Sequence, residues 1–172
     1  MKKLAMIVIL SLAVACGAYG QKLSQGTVEL ELEGSFDDKT PSGNQVWIGL
    51  GVGYFVIDNL ELIAAGYFSH DDYVIGYHPA VGAQYNFNLG YKLVPFIGVN
   101  LGWGIWDYKK GGEDMDGFVY GGEAGVKYFV TESLALAVSL DYDLSTGDIW
   151  MEEGGKMVNN NWGVRWGLRY FI

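Results

Sequence analysis

The sequence predicts an all-β fold, an eight-stranded antiparallel up-and-down barrel closed on itself. Three observations lead there. One short pattern occurs four times: Gly51-Val-Gly-Tyr-Phe-Val56, Gly82-Ala-Gln-Tyr-Asn-Phe87, Gly125-Val-Lys-Tyr-Phe-Val130 and Gly167-Leu-Arg-Tyr-Phe-Ile172. The first three run into a turn and the fourth closes the chain. Each therefore ends the second strand of a hairpin-like unit at a common level, and four hairpins make eight strands. Apolar residues also alternate with other types at period two, segment after segment, and no amphipathic helix of useful length stands out. Finally, long polar connections follow the odd strands and tight turns follow the even ones.

The elements follow in order. In the first strand Val28, Leu30 and Leu32 alternate with Thr27, Glu29, Glu31 and Glu33, and Asp37 to Asn44 reads as a polar loop. The second sets Val46, Ile48, Leu50, Val52 and Tyr54 against Trp47, Gly49, Gly51, Gly53 and Phe55, ending in the turn Asp58-Asn59. The third, about Leu60 to Ser69, has an ambiguous face; a short acidic loop follows at His70-Asp71-Asp72. The fourth runs from about Ile75 to Phe87, with Pro79 near its start and a turn at Asn88-Leu-Gly90. The fifth sets Leu93, Pro95, Ile97, Val99, Leu101, Trp103 and Ile105 against Val94, Phe96, Gly98, Asn100, Gly102 and Gly104. A charged loop from Asp107 to Asp116 leads to the sixth, where Phe118, Tyr120, Val126, Tyr128 and Val130 oppose Gly121, Glu123, Gly125, Lys127 and Phe129. After the turn at Thr131-Glu-Ser133, the seventh sets Leu134, Leu136, Val138, Leu140 and Tyr142 against Ala135, Ala137, Ser139, Asp141 and Asp143. The longest loop spans about Ser145 to Asn160. The last strand sets Trp162, Val164, Trp166, Leu168, Tyr170 and Ile172 against Gly163, Arg165, Gly167, Arg169 and Phe171.

The N-terminus begins Met1-Lys2-Lys3, runs apolar from Leu4 to Ala15 and reaches small residues at Gly17, Ala18 and Gly20. That is the pattern of a secretory signal peptide, with cleavage expected after Gly20. The apolar run is too short for a spanning helix, which needs about 20 residues. Residues 1–20 are thus expected to be signal and 21–172 a single barrel domain. Cys16 is the only cysteine, so there is no disulfide framework. Leu12-Ala13-Val14-Ala15-Cys16-Gly17 also resembles a lipoprotein signal, with Ala13 where that pattern prefers leucine; the simpler expectation is a cysteine lost with the signal. Loss of Lys2 and Lys3 leaves 9 bases against 20 acids, a net charge of −11. So acidic a chain has no general affinity for nucleic acid.

The two faces of the strands decide between a soluble and a membrane barrel. In a soluble barrel the second face meets water and is rich in Lys, Glu and Thr; here it is mostly Gly, Ala and Ser, which suits a narrow lumen. The other face is nearly unbroken Leu, Val, Ile, Trp and Tyr. Tyr54, Tyr85, Tyr128 and Tyr170 fall at one level near the short turns, and Trp103, Tyr142 and Trp162 lie nearer the long loops. Amphipathic rings at both levels are expected to form the aromatic girdles of a transmembrane barrel.

The lumen-side charges are expected to be structural ion pairs, because a buried charge is costly unless paired. Closure makes the first and last strands neighbours, setting Glu29, Glu31 and Glu33 beside Arg165 and Arg169. Glu123, Lys127, Asp141 and Asp143 lie on the adjacent sixth and seventh strands. Acids outnumber bases there, with Glu61 a possible addition, which implies internal water, protonated carboxyls or a bound cation.

On Gly51-Val-Gly-Tyr-Phe-Val-Ile-Asp-Asn-Leu-Glu-Leu62, Val94-Pro-Phe-Ile-Gly-Val-Asn-Leu-Gly102 and Gly125-Val-Lys-Tyr-Phe-Val-Thr-Glu-Ser-Leu-Ala-Leu136, the chain resembles the small outer-membrane β-barrel proteins of Gram-negative bacteria, the OmpA/OmpX-like, porin-family group. The resemblance implies passage through periplasmic chaperones, insertion by the barrel-assembly machinery, residence in the outer membrane among lipid and lipopolysaccharide, and both mature termini in the periplasm. The family's last strand ends in an aromatic, usually Phe; here Ile172 follows Tyr170 and Phe171.

The leading functional expectation is a non-enzymatic, monomeric outer-membrane protein that presents polar loops at the cell surface, with no cofactor. Asp37, Asp38, Asp71, Asp72, Glu113, Asp114, Asp116, Glu152 and Glu153 are candidates for bridging divalent cations to lipopolysaccharide or a host surface, although solvated loops are the simpler reading. Asp114-Met-Asp116 lacks the rest of a calcium loop. A second reading is a narrow cation-preferring channel, given the space left by Gly49, Gly51, Gly53, Gly98, Gly102 and Gly104; Phe55, Phe96 and Phe129 argue for a closed lumen. A third, a lipid-modifying enzyme, has only His70 and His78 to draw on. Ser69-His70-Asp71 is consecutive on a strand, so its side chains point to opposite faces, and no Gly-x-Ser-x-Gly elbow occurs. No catalytic residue and no metal ligand is assigned.

Overall fold

The computed structural model describes residues 23–40, 43–72, 74–109, 114–151 and 157–172. The expected signal segment with Cys16 and the loop acids Glu113, Glu152 and Glu153 lie outside these residues, as do the side chains of Asp37 and Asp38. The described chain is all strand: β1 (Val28–Thr40), β2 (Gly43–Ile57), β3 (Leu60–His70), β4 (Val74–Asn86), β5 (Leu93–Tyr108), β6 (Met115–Phe129), β7 (Leu134–Ser145), the short β8 (Trp150–Met151) and β9 (Met157–Val158), and β10 (Asn160–Phe171). Eight of them close into one antiparallel barrel in the order β1-β10-β7-β6-β5-β4-β3-β2, while β8 and β9 form a separate two-stranded sheet.

Period-two alternation dictates which way each side chain points. Leu50, Val99 and Leu140 stand outward at 61%, 63% and 60% exposure, while Phe55, Phe96 and Phe129 are buried in the lumen. The outward set is a continuous apolar belt far larger than a water-soluble monomer tolerates. A bilayer supplies its missing contacts. In β3 the ambiguity resolves: Glu61, Ala65 and Tyr67 point in and Leu62, Ala64 and Gly66 point out. Pro79 faces outward in mid-strand, where the β4–β5 ladder skips from Tyr77↔Ile105 to Ala80↔Gly102 without a register change. A proline has no N–H to donate there.

Two expectations about the loops are corrected. The polar stretch from Asp37 to Asn44 is not all loop: β1 runs on to Thr40 and β2 starts at Gly43, with a register irregularity between Asp37 and Thr40. Likewise β5 and β6 reach into the charged stretch that begins at Asp107. Strands at that end therefore extend further, and the long-loop contrast with the other end survives only after β7; the β5–β6 connection is no longer than the β4–β5 one at the other end. The longest connection is also structured. Ile149 and Val158 are buried, Trp150 pairs with Val158, and the Ser145 amide donates to the Asn159 carbonyl at 2.8 Å. Apolar anchors at both ends give this segment something to pack against, so it folds as a hairpin over the barrel mouth.

The short-turn end is plugged. Leu23, Phe55, Val94, Phe129, Ala135 and Phe171 form one buried apolar cluster, with the Phe129 and Phe171 rings 4.9 Å apart. The segment before β1 seals it: the Gly26 amide donates to Phe55 O at 2.9 Å and the Asn59 amide to Leu23 O at 2.7 Å. Asn59 adopts a positive φ of 68°, which a tight β2–β3 turn requires and asparagine tolerates.

Candidate functional site

Above the plug the lumen is filled by three tiers of charge. In the lowest, Lys127 on β6 reaches Glu29 on β1 at 2.5 Å and Glu61 on β3 at 2.9 Å, all with fully buried side chains. Glu61 Oε1 also accepts from Gln84 Nε2 at 2.5 Å and Asn86 Nδ2 at 3.2 Å. The next tier is Arg169 on β10, which pairs with Glu33, with Glu29 at 3.4 Å and with Glu31 at 3.6 Å. Glu31 lies directly opposite Arg169 in the closing seam. In the third tier Arg165 holds Asp141 at 2.9 Å and Glu123 at 3.7 Å, and donates to the Tyr67 hydroxyl at 3.1 Å.

The closing seam thus brings Arg169 to the three glutamates of β1. It does not bring Arg165 there; the expectation of a seam pair is corrected, because the seam ends at Glu33↔Gly167 and Arg165 instead turns to β6 and β7. The adjacency of β6 and β7 does not pair Lys127 either: β7 offers it Ala137, and its long stem crosses the lumen to Glu29 and Glu61. Asp143 makes no ion pair among the described residues. It accepts from Asn100 Nδ2 at 3.1 Å. Sequence reasoning missed Gln84, Asn86 and Asn100, whose inward direction in β4 and β5 was the available signal; it missed Tyr67 because the face of the third strand was ambiguous, and it left Glu61 open.

The lumen glycines do not leave a bore. A Cβ on Gly51 would meet Glu31 Oε2 at 2.5 Å, and one on Gly53 would meet Glu61 Oε2 at 2.6 Å. Gly49 makes way for Tyr67, Gly98 for Glu123, Gly102 for His78 and Gly104 for Trp106. Each glycine clears the volume that a large side chain from its own or an adjacent strand occupies. Within the ion-pair tiers the space left between Glu31, Glu33, Glu123, Arg165 and Arg169 is about 20 Å³, roughly one water.

Toward the long-loop end the lumen opens into a cavity of about 310 Å³. Its walls are aromatic: Trp47 stacks on Tyr67 at 5.5 Å, and Trp150 of the hairpin meets Trp106 edge-on at 6.5 Å. Its polar groups include Ser69, His78, Asn100, Asp141, Asp143 and Arg165. Past Glu33↔Gly167 no β1 residue pairs with β10, although both strands continue, and Gly34, Val164 and Trp166 line the cavity beside this gap.

Of the remaining candidates, Tyr54, Tyr85, Tyr128 and Tyr170 stand outward near the short turns, and Trp103, Tyr142 and Trp162 stand outward toward the other end. Tyr142 and Trp162 face each other across the β7–β10 ladder. Ser69 lines the mouth cavity, whereas the exposed His70 points away and lies 3.2 Å from Lys109 Nζ, so the two form no dyad. Among the described residues no group of three or more His, Cys, Asp or Glu is placed to hold a metal ion.

This architecture is shared with solved outer-membrane barrels. The N-terminal β-barrel domain of OprF from Pseudomonas aeruginosa superimposes with a TM-score of 0.57 at 24% identity, covering 86% of this chain and 98% of that one. Neisserial surface protein A, NspA, gives 0.57 at 18% identity over 84% and 93% of the two chains. OprG from Pseudomonas aeruginosa gives 0.57 at 15% identity over 88% and 98%. At these identities the likeness speaks to fold. No curated protein sequence matches the chain. The family described as outer membrane protein beta-barrel domain matches residues 4–170, and with a closed barrel, an apolar outer belt and a charged lumen the chain belongs to that family and to the outer membrane.

Proposed function

We propose that this is a non-enzymatic integral outer-membrane protein whose closed barrel anchors folded, polar connections at the cell surface for a structural or interaction role. One observation carries the reading: the lumen is blocked through most of its height, first by the cluster around Phe55, Phe129 and Phe171 and then by the Lys127, Arg169 and Arg165 tiers. Buried ion pairs stacked behind an apolar plug suit an anchor better than a conduit. On this reading the termini lie at the periplasmic end, lipid and lipopolysaccharide surround the belt, and periplasmic chaperones and the barrel-assembly machinery deliver a monomer. The channel alternative draws support from the acid surplus in the lumen.

The test uses protein extracted from outer membranes. A heat-modifiable, protease-resistant band that yields no stable conductance in planar bilayers supports the anchor. Steady cation-selective steps would replace it with the channel, and a detergent-independent soluble monomer would overturn the membrane assignment.

A further inference from the structure

The mouth cavity is not absorbed by an anchoring role. Two of its features concern charge. Arg165 is neutralised by Asp141 at 2.9 Å and by Glu123 at 3.7 Å. Asp143, on the same wall, makes no ion pair among the described residues: it accepts from the Asn100 amide at 3.1 Å, and Arg165 acts on it only from beyond ion-pair distance. The other Asn100 atom, Oδ1, is buried and accepts no hydrogen bond, and His78 Nε2 is buried and unpartnered as well. A buried acceptor without a donor costs about 1–3 kcal/mol; the cavity's orphaned donor, Arg165 Nη2, already lies 3.7 Å from Glu123 Oε2, so the charge left without an ion-pair partner is that of Asp143.

Two further features concern shape. The walls are π faces and edges, Trp47 on Tyr67 and Trp106 against Trp150; Tyr67 already carries the Arg165 guanidinium at 5.7 Å, and the tryptophans attract a further cation and cover an apolar body equally well. Beside the unpaired upper seam, Val164 and Trp166 add apolar surface that connects the cavity with the outer belt. An anion would face Asp143 and the unpaired Asn100 oxygen. A purely apolar ligand would leave both unsatisfied.

We propose that this cavity binds a small organic cation, a primary ammonium joined to a short aromatic or apolar body. The ammonium donates to Asp143 and to Asn100 Oδ1, and the body lies between Trp47, Tyr67 and Trp106. A volume of about 310 Å³ is at the lower end of the range of small-molecule sites.

The experiment is a calorimetric titration of the full-length gene product, purified from outer membranes in a zwitterionic detergent, with detergent-only blanks. The probes are 2-phenylethylammonium chloride and 2-phenylethanol, its neutral near-isostere. The expected result is saturable binding of the amine, at least tenfold weaker binding of the alcohol, and at least tenfold loss of amine affinity in Asp143→Asn. Partition into micelles alone favours the alcohol and gives no saturation, so that pattern overturns the proposal. So does equal affinity for the two probes, or an amine affinity unchanged in a folded Asp143→Asn protein. Should that variant lose its heat-modifiable band, Asn100→Ala takes its place. The comparison of the two probes in the wild-type protein decides without either variant.

Discussion

Lys127 and Glu29 sit three strands apart around the barrel, yet Lys127 Nζ lies 2.5 Å from Glu29 Oε2 in the sealed base of the lumen. The same ammonium holds Glu61 at 2.9 Å, so one side chain ties β6 to β1 and to β3. Removing it leaves buried Glu61 without an ion-pair partner and Glu29 with Arg169 alone, at 3.4 Å. Lys127→Met is expected to destabilise the folded barrel by about 3–5 kcal/mol, measured by urea unfolding in lipid vesicles. Adding Glu29→Gln and Glu61→Gln is expected to restore most of that loss, because the uncompensated charge goes with them.

A lumen glycine and an outward one give a paired test of close packing. A Cβ on Gly125 would lie 2.4 Å from the Val138 carbonyl oxygen and 2.6 Å from Phe96 Cζ, whereas one on Gly66 meets nothing within 4 Å. Gly125→Ala is expected to cost about 1–3 kcal/mol by overpacking. Gly66→Ala is expected to stay within about 0.5 kcal/mol of wild type. Equal effects in the same unfolding assay would mean that the lumen is looser than its geometry shows.

The outer belt predicts how charge is tolerated. Val99 is 63% exposed at mid-strand, paired with Ala83 and Gly122. Val99→Arg is expected to cost about 2–4 kcal/mol at the bilayer midplane. Folding yield into phosphatidylcholine vesicles checks this. A barrel with water on that face would accept the arginine at almost no cost.

The hairpin over the mouth is held by Ile149 and by the edge-on contact of Trp150 with Trp106. Ile149→Asp places a charge in a buried apolar position, at a cost that local opening avoids. The expected outcome is rapid trypsin or proteinase K cleavage between β7 and β10 with the remaining barrel fragment intact, read by mass spectrometry. Protection equal to wild type would show that the hairpin does not depend on this anchor.

The barrel was legible in the amino-acid sequence because period two is a property of the strand itself. Leu30, Leu32, Leu50 and Val52 announce an outer face without reference to any other strand, and the fourfold Gly-x-x-Tyr pattern counts the hairpins. The meeting of Arg169 with Glu31 was also legible, since closing an antiparallel barrel makes its first and last strands neighbours. The third strand was not, because Ala64, Ala65 and Gly66 carry almost no face preference in their side chains.

Contacts across the lumen belong to another level. Whether Lys127 meets Glu29, whether Arg165 turns to Asp141, and whether the space above Gly51 is a bore or a seat for Glu31 depend on barrel radius, strand stagger and rotamer. Those quantities arise only when eight strands close together. Alternation and turn chemistry specified the strands and their outward face; the closed barrel decided the ion-pair partners, the filled lumen and the aromatic cavity at its mouth, because each joins residues whose distance no local pattern encodes.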